Sequence, residues 1–196
     1  SKRKYTWLKD YTPALYEQQS VSLEFFLDPA KTILKSKIVF AASCDKPSDL
    51  VLQGENIQLN WMKIDGRKIE LECLTFGINE LIIPKKFLGS GEFQLETENV
   101  LSPTTNKSLE GLYMSEDNFV TQCEPEGFRK ICYSLDRPDV LSTYTTRIHG
   151  SYAHLLSNGN PVTISKNYTK WHDPFPKPSY LFALVAGNLI FDKGVF

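Results

Sequence analysis

The chain has 196 residues, with 22 basic and 23 acidic side chains and a net charge of −1 at pH 7. Hydrophobic residues make up 41% and charged residues 23%, a globular composition that excludes an intrinsically disordered chain. Charge is balanced and no basic patch forms beyond the opening Ser1-Lys2-Arg3-Lys4, which argues against nucleic acid or an anionic membrane as partner. No apolar run approaches the roughly 20 residues of a membrane-spanning helix.

Period-two alternation dominates from the start, and helical periodicity is scarce. Val21, Leu23, Phe25 and Leu27 alternate with Ser22, Glu24 and Phe26. Asp28-Pro29-Ala30-Lys31 predicts a turn, and a second strand is expected from about Thr32 to Ala42. Ile57, Leu59 and Trp61 alternate with polar neighbours, which assigns them to the core. Asp65-Gly66 then suits the positive φ angles of a tight hairpin, with Arg67 to Leu71 as the return strand. Asn79 to Ile83 and Glu92 to Glu98 read as further strands.

From Asn99 to Gly111 the alternation breaks, and Ser102 to Ser108 reads as a loop. Gly111 to Thr121 returns to extended structure, folded around Glu116-Asp117-Asn118. Glu126 to Ser134 has room for one helical turn and Asp139 to Ser142 for another. Thr143 to Ile148 is β-rich, and Ser157-Asn158-Gly159-Asn160-Pro161 is a strong turn. Pro174, Pro176 and Pro178 predict an extended segment outside any strand. An apolar strand follows from Ser179 to Ala186, then a shorter one near Leu189 to Phe191. The fold class is therefore mainly β: a saddle-like or sandwich mixed β-sheet domain with one or two short helical turns. No repeat or interdomain linker interrupts it, so residues 1–196 are expected to form a single β domain. Phe196 follows directly on strand signals, which fits a cut within a longer protein better than a natural terminus.

The residues that carry chemistry are sparse. Cys44, Cys73, Cys123 and Cys132 form no Cys-x-x-Cys pair, so they are expected to be free buried thiols. His149, His154 and His172 match no metal-ligand spacing; His149 and His154 stand five apart in a predicted β region. The expectation is no metal in this chain and no catalytic residue. The basic start lacks the apolar core of a signal peptide, which predicts a cytoplasmic protein if the chain begins near its natural start, and leaves the sequons at Asn106 and Asn167 without meaning. Trp7, Trp61, Trp171 and the nine tyrosines are assigned to packing rather than to a sugar-binding face.

Four segments stand in a distinctive order: Leu109-Glu110-Gly111-Leu112-Tyr113, Thr121-Gln122-Cys123-Glu124-Pro125-Glu126-Gly127-Phe128-Arg129, Leu135-Asp136-Arg137-Pro138-Asp139, and Asp173 to Pro178 with Tyr180 to Gly187. Together they resemble the N-terminal β domain of the zinc aminopeptidase N family, and most closely its bacterial cytoplasmic type. The resemblance runs from about Thr12 to Phe196, and is looser over the first hundred residues. It implies that Glu124 binds the α-ammonium of a peptide substrate, and that Gln122 lines the pocket for the first side chain. It also implies that zinc, the general base and the zinc domain, an intramolecular partner, belong to a part of the parent absent here. No His-Glu-x-x-His or Gly-Ala-Met-Glu-Asn segment occurs in this chain.

The chemistry is sensible on physical grounds. A fixed carboxylate grips a free ammonium through charge-assisted hydrogen bonds, and a blocked amine leaves that carboxylate unpaired. Asp136-Arg137-Pro138-Asp139 reads instead as a turn held by side-chain bonds, with Arg129 or Arg137 as the ion-pair partner. Glu126 is assigned no role. The alternatives are a non-catalytic aminopeptidase-like scaffold or binding module, which need not keep Glu124 and Gln122, and an unrelated β-sandwich recognition module, which leaves the four ordered segments unexplained.

Overall fold

The computed structural model describes residues 7–43, 48–89, 91–190 and 194; Cys44 and the end of the strand expected at Phe191 lie outside them. Among the described residues there are fifteen strands and only short 3₁₀ turns. The first five strands are β1 (Tyr16–Phe26), β2 (Thr32–Ala42), β3 (Leu50–Gln53), β4 (Gln58–Ile64) and β5 (Arg67–Ile69). Next come β6 (Thr75–Phe76), β7 (Glu80–Ile83), β8 (Glu92–Leu101), β9 (Gly111–Ser115) and β10 (Asn118–Gln122). The last five are β11 (Ser142–His149), β12 (His154–Ser157), β13 (Asn160–Ser165), β14 (Tyr168–Lys177) and β15 (Leu184–Gly187).

They form three sheets. The largest has eight strands in the order β13-β14-β11-β1-β2-β8-β4-β5. Its β1–β11 pair is parallel and its other ladders are antiparallel, so the sheet is mixed. A four-stranded sheet runs β12-β15-β10-β9 and a three-stranded one β3-β7-β6. A continuous apolar core joins all three: Leu23, Phe25, Leu34, Ile38 and Phe40 from the large sheet, Phe119 and Leu184 from the second, Leu50, Leu52, Leu81 and Ile83 from the third. Phe182 is central to it, with ring centroids 6.2 Å from Phe25, 5.4 Å from Phe128 and 6.0 Å from Tyr144.

Several sequence expectations hold at residue level. β2 spans Thr32–Ala42 as expected. The β4–β5 hairpin turns at Asp65 (φ 48°) and Gly66 (φ 76°), both left-handed as a two-residue turn with this twist requires. The β9–β10 hairpin turns through Glu116 at φ 52°.

Others are corrected. β1 carries a bulge between Gln18 and Ser20, so its buried positions switch from Tyr16 and Gln18 to Val21, Leu23 and Phe25. β4 does the same between Leu59 and Trp61. Met62 and Ile64 therefore face the core, while Trp61 lies half-buried with Lys63 5.2 Å above its ring. Trp7 is also misassigned to packing, being 62% exposed. Trp171 does pack against the core, and its indole Nε1 donates to the Leu155 carbonyl at 3.0 Å.

β8 continues past Glu98 to Leu101, because Asn99 is buried and its amide donates to Thr97 Oγ1 at 3.0 Å. Asp139 to Ser142 holds a turn and the start of β11, with no helical turn. Pro174 and Pro176 lie inside β14 rather than outside any strand; they fall where the ladder to β11 shifts register between Ser142 and Tyr144, so neither proline must donate there. The apolar stretch from Ser179 opens as a 3₁₀ turn, Ser179–Leu181, and becomes a strand only at Leu184. Leu189 and Ile190 form no strand. Of the thiols, Cys123 and Cys132 are free and buried, whereas Cys73 is free but exposed.

Burial of Phe182 among three aromatic rings predicts a steep cost for its removal. Phe182→Ala should lower unfolding free energy by about 3–5 kcal/mol. Phe175→Ala, at a residue 74% exposed, should stay within about 0.5 kcal/mol. Urea unfolding of the two variants against the parent checks both.

Candidate functional site

Gln122 ends β10, and Glu124 stands two residues on, at the head of a tight loop. The outgoing leg is fixed by pairing with β9 and β15. Thr121 reinforces it: its Oγ1 accepts from the Leu184 amide at 2.8 Å and donates to the Leu184 carbonyl at 3.3 Å. The Glu124–Pro125 peptide is cis. The loop then closes on itself, with the Gly127 amide donating to the Cys123 carbonyl at 2.8 Å. Gly127 is required here, because a Cβ on it would stand 2.2 Å from the Gln122 carbonyl oxygen. The return leg enters the 3₁₀ turn Phe128–Lys130, whose Phe128 is fully buried against Tyr144 and Phe182.

Gln122, Glu124, Pro125 and Glu126 form one side of a cleft of about 620 Å³, and Asp136, Arg137, Pro138, Ser179 and Tyr180 line the rest. The two residues singled out from sequence thus share one concave surface, and both are solvent-exposed. Gln122 Nε2 donates to the Glu124 carbonyl at 3.4 Å.

Charged groups around this cleft are paired, with one exception. Asp136, 5% exposed, receives Arg129 Nε at 2.9 Å and the Arg129 amide at 3.2 Å on one carboxylate oxygen, and the Ser179 hydroxyl on the other. Its own amide donates to Gln53 Oε1 at 3.0 Å. Arg129 also reaches Glu126 at 3.3 Å. Arg137 grips Asp139 with two bonds of 2.8 and 2.7 Å, and donates to the Thr12 carbonyl at 2.8 Å. That guanidinium holds the Asp139 carboxyl below the usual carboxylate range, and its own pKa is raised in return. Among the described residues no hydrogen bond or ion pair engages the carboxylate of Glu124, so it is the free charge of the cleft.

The Asp136-to-Asp139 turn is therefore held by side chains as expected, and both candidate arginines take part: Arg129 binds Asp136 and Arg137 binds Asp139. Sequence reasoning missed Ser179 and Gln53 as supports of Asp136. Ser179 sits at the junction of two matched segments, whereas Gln53 carries no local signal.

The remaining candidates lie elsewhere. His149 contacts Glu24 at 2.9 Å and stacks on Phe26, with ring centroids 4.5 Å apart. His172 contacts Thr145 at 2.9 Å, and His154 opens β12, in a different sheet from His149. Among the described residues no three of His, Cys, Asp and Glu gather where a metal could sit. Burial pushes the Cys132 thiol up to about 12 and raises Cys123 further, so neither is a nucleophile at neutral pH. The Asn106 side chain is turned to structure, its amide donating to the Glu110 and Leu112 carbonyls.

Comparison with known proteins converges on one family. Aminopeptidase N of Caulobacter vibrioides is 44% identical over 189 residues, covering 93% of this chain and 22% of the relative. Aminopeptidase N of Escherichia coli is 41% identical over 194 residues, covering 91% and 21%. The chain thus spans about a fifth of the length of these curated relatives. Among solved structures, Legionella pneumophila aminopeptidase A in complex with aspartic acid superposes with a TM-score of 0.83 at 34% identity, covering 93% of this chain and 22% of that one. Native yeast LTA4 hydrolase, at 17% identity and a TM-score of 0.77, shares the fold. Residues 12–181 match the family described as Peptidase M1 N-terminal domain, and with the four ordered segments and the three-sheet fold in place, the chain belongs to that family.

Proposed function

We propose that this chain is the substrate-anchoring N-terminal domain of a zinc-dependent aminopeptidase that removes N-terminal residues from peptides. The observation that carries the reading is the unpaired carboxylate of Glu124 in a cleft whose other charged groups are paired. Such a group is an open site for a compact cation, and a peptide's free α-ammonium is one. Gln122, beside it, lines the pocket for the first side chain. The name of the curated relatives, aminopeptidase N, supplies the peptide as substrate, and the family resemblance supplies the zinc.

The residues present do not fit a zinc site, so in this reading zinc and the general base come from the rest of the parent. What this domain contributes is position. An ammonium held at Glu124 places the first peptide bond at a set distance, so one residue leaves per event, and an acylated amine is rejected because it leaves the carboxylate unpaired. The isolated domain is then inert. A cytoplasmic setting belongs to the same proposal and agrees with the free Cys123 and Cys132.

In the full-length parent, Glu124→Ala should lower kcat/KM for free-amine peptides by about ten- to a hundredfold, the worth of one charge-assisted hydrogen bond. Unchanged kinetics would remove the role given to Glu124. Calorimetric titration of the 196-residue chain with zinc should give no stoichiometric site of micromolar affinity or better; finding one would overturn the assignment of the metal to the rest of the parent.

A further inference from the structure

We propose that Arg129 is a positioning residue for Glu124: it sets the strength of amine binding without touching substrate. The inference rests on the ammonium-anchoring reading of Glu124 given above. Among the described residues Arg129 is the one side chain that joins the head of the Glu124 loop to the opposite wall of the cleft. One arm reaches Glu126, two residues beyond Glu124, at 3.3 Å. The same nitrogen, Nη2, donates to the Asp136 carbonyl at 3.2 Å, and Nε donates to the Asp136 carboxylate at 2.9 Å. Its backbone takes part as well: the amide donates to the same carboxylate oxygen, and the carbonyl accepts from the Glu55 amide at 2.8 Å.

Asp136 gives this clamp a fixed end. It is buried, and its remaining groups are held by Ser179 and Gln53, from distant parts of the chain. Among the described residues the loop head has no buried charged anchor of its own, only the Gln122 bond to the Glu124 carbonyl and the Gly127–Cys123 closure. Glu124, Pro125 and Glu126 are all exposed, and Glu126 has its only described ion pair with Arg129. A carboxylate on such a loop binds a cation well only if the loop is held before the cation arrives. A planar guanidinium with several donors in fixed directions is suited to that task, and the single ammonium of lysine is not. The side chain of Arg129 is only 15% exposed, and its Nε and Nη2 are turned to Asp136 and Glu126 rather than to the open cleft.

The test is a double-mutant cycle in the full-length parent, with kcat and KM measured on an aminoacyl anilide with a free amine. Arg129→Lys keeps the charge and should lower kcat/KM by about tenfold, chiefly through KM. In the Glu124→Ala background the same substitution should change kcat/KM by less than about twofold, because the group it positions is gone. Independent, multiplying effects would make Arg129 a general structural residue and overturn the proposal, and so would parental kinetics for Arg129→Lys. Should Arg129→Lys fail to fold, Glu126→Gln frees the loop head at an exposed site; it should raise KM about two- to fivefold, and a parental KM would overturn the proposal. If Glu124→Ala alone leaves kinetics unchanged, the anchoring reading falls and this one with it; if Glu124→Ala is impaired while Arg129→Lys is not, only the positioning role falls.

Discussion

The buried carboxylate of Asp136 is the constraint on which the rest of the cleft depends. A charge removed from water must be met by partners of fixed geometry, and breaking such a pair typically costs about 3–5 kcal/mol. Here the carboxylate's partners are Arg129 on the 3₁₀ turn and Ser179 after β14, while the amide of the same residue donates to Gln53 Oε1 at the end of β3. Gln53 also pairs with Ser134 through backbone bonds in both directions, at 2.8 and 3.2 Å. Holding this one residue, by carboxylate and amide together, therefore docks the three-stranded sheet, the Glu124 loop and the entry to β15 against one another. The cleft is the space left between them.

Much of the strand pattern was legible from local sequence. Alternation placed β1 and β2, and the Asp65-Gly66 pair placed a hairpin, because these features depend only on neighbours along the chain. The failures share a physical cause. Bulges in β1 and β4 each insert one residue, and a single insertion moves every following side chain to the other face. Trp61 was read as core for that reason, when Met62 and Ile64 hold the core positions. Asn99 reads as a strand breaker until its contact with Thr97, across one face of β8, is known. β13 was invisible because all six of its residues are exposed, so it has no buried face to mark it.

The site was legible in a different way. Gln122 and Glu124 stood out by resemblance, and the fold brings them to one cleft. Their supports did not stand out. Gln53 and Asp136 are 83 residues apart, and Ser179 and Asp136 are 43 apart, so neither contact leaves a local trace. The Asp136-to-Asp139 turn was expected to hold itself by side-chain bonds, and it does so with a division of labour. Arg137 closes the turn on Asp139, whereas Arg129 ties the turn to the loop opposite.

In the proposed reading, that division is how a β domain with little chemistry of its own would shape a reaction carried out elsewhere in the parent. A carboxylate already paired with a neighbouring arginine is neutralised and offers a passing cation little. Glu124 escapes that fate because Arg129 is committed to Asp136 and Glu126, and Arg137 to Asp139 and Thr12. The pairing of the surrounding charges is what keeps this one available. Both arginines tie down the walls of the cleft, and by being occupied they leave Glu124 as its one unpaired carboxylate among the described residues.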